Sequence, residues 1–115
     1  MAFLALAVAA CGSASSQASP TVGLGSAVQQ DCTSVADVLA DGPDPGADPV
    51  GYAEAQVLPL RQLTISDAML HRAVLTLASA YETFSTSSTS TRAASSAAVT
   101  KAENEVNKIC PQAAQ

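Results

Sequence analysis

A chain of 115 residues has room for one small hydrophobic core. Alanine supplies much of its apolar content, and with two Phe, two Tyr and no Trp the core must be thin and built from Leu, Val, Ile and Ala. Ten acidic against five basic residues give a net charge of -5, which disfavours a nucleic-acid partner and a basic membrane-binding patch alike.

In chain order the first element is the apolar run from Ala2 to Ala10. It is about half the length of a bilayer-spanning helix and has the length of the apolar core of a secretory signal. Val8-Ala9-Ala10-Cys11 resembles the lipobox of bacterial lipoproteins, in which small residues precede a modified cysteine. The resemblance implies that residues 1–10 are a signal peptide and that Cys11 becomes the first residue of the mature protein, carrying a diacylglyceryl group. Two acyl chains anchor stably where one is marginal, so it also implies an extracytoplasmic location on the cell membrane. The departure from the family pattern is that no Lys or Arg precedes the apolar run. This implies a true start further upstream, or poor export of this form. The rival reading is a frayed apolar terminus with a structural cysteine.

Residues 11–30, rich in Ser, Gly, Ala and Gln, have the composition of a flexible tether. The folded domain is expected over residues 31–111, followed by a tail at 112–115. Ser34-Val35-Ala36-Asp37 resembles a capping box, and Val35, Val38 and Leu39 supply a short apolar stripe that Gly42 and Pro43 stop. Residues 41–49, with three prolines and two glycines, predict a rigid acidic loop. Asp41, Asp44 and Asp48 raise calcium as a ligand, but their spacing is not that of an EF-hand and its closing Glu is missing.

Ala53, Val57, Leu60 and Leu63 fall at helical spacing, with Pro59 expected to kink the helix or split it. Thr64 or Ser66 is a candidate cap for the next helix, where Leu70, Ala73, Val74, Leu77, Ala80, Tyr81 and Phe84 lie within one arc. Leu75 and Ala78 broaden that surface. Residues 85–90, STSSTS, predict a turn or frayed junction, with a glycosylated stretch over 85–96 as the alternative. Val99, Ala102, Val106, Ile109 and Cys110 form the last apolar face, and Pro111 ends it. The expected fold is all-α, a small up-down bundle of three or four helices.

With Cys11 lipidated, Cys32 and Cys110 remain as an even pair in an exported protein, where a disulfide would close the bundle end to end. Two separate structural thiols are the alternative. Enzymatic chemistry finds little support. His71 is the only histidine, placed at the edge of an apolar stripe, and Tyr81 is too far along the helix to join it as a ligand. Glu103 and Glu105 point to different helix faces, and the Gly23-Leu24-Gly25 run lacks the strand and helix of a phosphate loop. No cofactor or metal is expected.

The whole chain resembles the small, alanine-rich cell-envelope lipoproteins common in high-GC Gram-positive bacteria. The resemblance implies a noncatalytic, lipid-anchored module, bound to the membrane through Cys11, whose helical surface binds a protein or envelope component. The alternative is a carrier of a small apolar ligand such as haem or lipid between the helices.

Overall fold

The computed structural model describes residues 25–111, so Cys11, the signal-like run and the expected tail lie outside it. The described residues form four helices and no strand: α1 (Ser26–Ala40), α2 (Pro49–Gln62), α3 (Ala68–Thr86) and α4 (Arg92–Ile109). The fold is the expected all-α bundle, closed by one disulfide between Cys32 and Cys110.

α1 starts earlier than a cap at Ser34 predicts. Residues 26–30, assigned by composition to the tether, are its first turn and more. Ala and Gln are good helix formers, and no Gly or Pro interrupts the chain between Gly25 and Gly42, so the helix propagates back from its packed centre. Ser34 is therefore mid-helix, its hydroxyl donating to the Gln30 carbonyl at 3.1 Å. Val35 and Leu39 are buried, as their stripe predicts.

Gly42, at φ 100°, makes the turn out of α1. Pro49 takes the first position of α2, and Asp48 caps it through Oδ1, which accepts from the Gly51 amide at 2.9 Å. A β-carbon on Gly51 would collide with that carboxylate, which accounts for a glycine in the first turn. α2 runs unbroken through Pro59 instead of splitting. Pro59 and Ala55, whose carbonyl loses its usual donor there, both face solvent, where water satisfies the freed group.

α3 is the centre of the bundle. Leu70, Val74, Leu77, Ala78, Tyr81 and Phe84 are buried along it, and all but Ala78 belong to the arc read from periodicity. They pack with Ala53 and Leu60 of α2 and Ala102 and Val106 of α4 in one cluster that Val35 and Leu39 complete. α4 returns antiparallel to α3, since Glu103 meets Tyr81 while Cys110 reaches Cys32 beside the start of α3. α1 runs the same way as α3, joined to it by Asp31 at one end and through Tyr52 at the other.

Candidate functional site

Two constellations of polar groups organise the bundle, one at the end where the chain enters and leaves, the other across its middle. At the first, Asp31 is buried on the same stripe as Val35 and Leu39. Its Oδ2 accepts from the Ser66 amide (3.1 Å), the Ser66 hydroxyl (3.0 Å) and the Asp67 amide (3.2 Å). A side chain of α1 thus holds the chain segment entering α3. Asp67 itself is the N-cap of α3, accepting from the Leu70 amide at 2.8 Å. Thr64 and Ser66, the sequence candidates for that cap, are displaced by Asp67, and Ser66 instead serves Asp31. One residue beyond Asp31, Cys32 is bonded to Cys110, with Cα atoms 5.4 Å apart. The ends of α1, α3 and α4 are therefore tied within a few residues of each other.

Across the middle, one side chain or carbonyl from each helix forms a continuous chain of contacts. Glu103 of α4 accepts from the Tyr81 hydroxyl of α3 at 3.0 Å. The Tyr81 ring meets the Tyr52 ring of α2 edge-on at 5.8 Å. The Tyr52 hydroxyl donates to the Leu39 carbonyl near the end of α1 at 2.6 Å. Beside it, one turn along α2, Gln56 is 1% exposed and its Nε2 donates to the Asp41 carbonyl at 2.8 Å, fixing the loop that follows α1. Gln56 Oε1 has no protein partner.

Burial pushes the Tyr81 phenol far above its ordinary value, and the nearby Glu103 carboxylate adds to the shift. Tyr52 is raised too, mainly by burial, with the Tyr81 hydroxyl offsetting part of it and Glu103 adding to it. A folded phenol raised in this way keeps its proton where the unfolded chain releases it. The stability these two phenols contribute is therefore fully present below about pH 10 and is lost as pH rises above it. The unfolding midpoint should hold steady from pH 7 to 9 and fall beyond pH 10. Tyr81→Phe should flatten that fall while costing about 1 kcal/mol at neutral pH for the lost hydrogen bond. Thermal melts followed by circular dichroism across this range check it, and an equally steep alkaline fall in the variant assigns the sensitivity elsewhere.

The other residues singled out by sequence have local roles. Asp41, Asp44 and Asp48 each accept a backbone N–H, from Gly42, Gly46 and Gly51 respectively, which is turn and cap chemistry. Among the described residues no group of three His, Cys, Asp or Glu is placed to hold a metal ion. His71 is exposed on the first turns of α3. Glu105 is exposed and lies 2.9 Å from Lys108, whose hydrogen bond and charge hold its carboxyl below the usual range, whereas Glu103 is committed to Tyr81. The two carboxylates thus work apart, as their places in the sequence predict.

Comparison with protein-family models, with curated proteins and with solved structures gives no match.

The polar residues that sequence reading passed over had a signal. Asp31 and Gln56 each sit in register with an apolar stripe, Asp31 four before Val35 and Gln56 between Ala53 and Leu60. A polar residue on the buried face of a helix must find a partner there, and both do. The Tyr81 to Glu103 pairing had none, because nothing local to α3 indicates which carboxylate its hydroxyl meets.

Proposed function

We propose that the chain is a lipid-anchored cell-envelope lipoprotein whose helical domain binds a protein or envelope component and performs no chemistry of its own. The observation that carries this reading is the Cys32–Cys110 bond. It takes up two of the three cysteines and leaves Cys11, directly behind an apolar run and the small residues Ala9 and Ala10, for modification. A structural disulfide also suits an oxidising compartment outside the cytoplasm.

The interior supports a binding module over a ligand carrier. Leu60, Leu70, Leu77, Val35, Val74 and Val106 are fully buried against one another in the shared cluster, and the buried hydroxyls are spent on protein acceptors. Apolar side chains available for contact lie outside: Leu58 is 62% exposed, Met69 70% and Leu75 39%. Mass spectrometry of the protein extracted from its native membrane tests the anchor. The expected result is an N-terminal Cys11 bearing a diacylglyceryl thioether; a soluble protein retaining an unmodified Met1 refutes it.

A further inference from the structure

We infer that the end of the bundle from which the chain leaves is a lipid-contact surface centred on Met69 and Arg72, and that the acidic loop 41–48 points away from the membrane. This rests on the anchoring at Cys11 proposed above.

The Asp31 contacts to Ser66 and Asp67 and the Cys32–Cys110 bond put the first turns of α1, the start of α3 and the end of α4 at one end of the molecule. The chain running back to Cys11 departs from this end, at Gly25. Cys11 and Gly25 are fourteen positions apart, a reach of at most about 50 Å when fully extended. α3 alone, with 19 residues, is about 28 Å long, so turning the far end toward the lipid would use most of that reach in passing the bundle.

What this end displays suits a lipid surface. Met69 is the most exposed of the large apolar side chains among the described residues and stands in the first turn of α3. Arg72, three residues on and so adjacent on the helix surface, is exposed and makes no ion pair among the described residues. A thioether stem that enters the acyl boundary beside a guanidinium that meets headgroup phosphate is the pairing found on interfacial helices. The acidic side chains nearby are set back or paired: Asp31 is buried behind Ser66 and Asp67, Asp67 is half-buried as the cap of α3, and Glu105 is paired with Lys108. The exposed aspartates 41, 44 and 48 lie beyond the far end of α1. In a chain of net charge -5, that distribution turns the less acidic end toward anionic lipid.

The absence of Trp makes the test direct. The full chain carrying Met69→Trp, and separately Thr89→Trp in the exposed loop at the opposite end, is coupled through the Cys11 thiol to maleimide-bearing phosphatidylethanolamine in vesicles of brominated phosphatidylglycerol. Anchoring is thereby imposed by chemistry, so the result is independent of whether the cell acylates Cys11, which the mass measurement decides. The expected result is a blue-shifted emission, strongly quenched by the brominated lipid, from the indole at position 69 and not from that at position 89. Adding Arg72→Glu should weaken the quenching at 69. Equal quenching at the two positions, or stronger quenching at 89, overturns the orientation.

Discussion

Replacing Cys32 or Cys110 by Ser should lower the unfolding midpoint by about 20 °C or more. The bond joins residues 78 positions apart. Closing a loop of that length removes about 4.5 kcal/mol of conformational freedom from the unfolded chain. A domain of this size has a net stability of only about 4–13 kcal/mol, and each kcal/mol moves the midpoint by about 4–8 °C. Scanning calorimetry of both single variants and of the double variant checks it. The three should melt alike, since either substitution opens the same loop, and midpoints equal to the parent's would show that packing alone fixes α1.

Asp31→Ala should destabilise the domain by about 3 kcal/mol and loosen α1 from the start of α3. The carboxylate accepts three hydrogen bonds, two of them from backbone amides that precede α3. Hydrogen bonds to a charged acceptor contribute about 1.5–3 kcal/mol, and stranding the amides adds their desolvation cost. Urea denaturation measures the loss. Amide exchange localises it, because the Ser66 and Asp67 amides should lose protection by local opening, while those in the middle of α4 should speed up only as far as global stability falls. Asp31→Asn, which keeps an acceptor oxygen, should recover part of the difference. Unchanged exchange at Ser66 and Asp67 in the alanine variant would mean that these amides owe their protection to something other than Asp31.

The helices themselves were largely legible, because burial in a thin bundle follows the 3.6-residue period closely. Leu70, Val74, Leu77, Tyr81 and Phe84 read as one face and are buried as one face. The acidic loop was equally plain, since Pro and Gly leave few alternatives there, while the junction expected over 85–90 falls at 87–91 because α3 runs on through Ser85 and Thr86. The start of α1 was not, because a segment of Ser, Ala and Gln has neither the apolar period of a helix nor the glycine density that forbids one. Its helical state is settled by Asp31, Cys32 and Val35, which must reach their partners in α3 and α4. Of the two outcomes expected of Pro59, the split does not occur: its cost is real, but on a solvent-facing side of α2 it falls on a carbonyl that water can serve. Side-chain partnerships between helices, such as Tyr81 with Glu103, are properties of the packing and have no local trace.

The position of the Cys32–Cys110 bond has a consequence for how the domain withstands proteolysis. All of α2, α3 and their flanking loops lie inside the ring that the bond closes, and the exposed loops 41–48 and 87–91 are its accessible cleavage points. A single cut in either loop opens the ring without dividing the molecule, because both fragments stay joined through sulfur. Only two cuts within the ring free a piece, so one cut in either loop leaves every helix joined to the others.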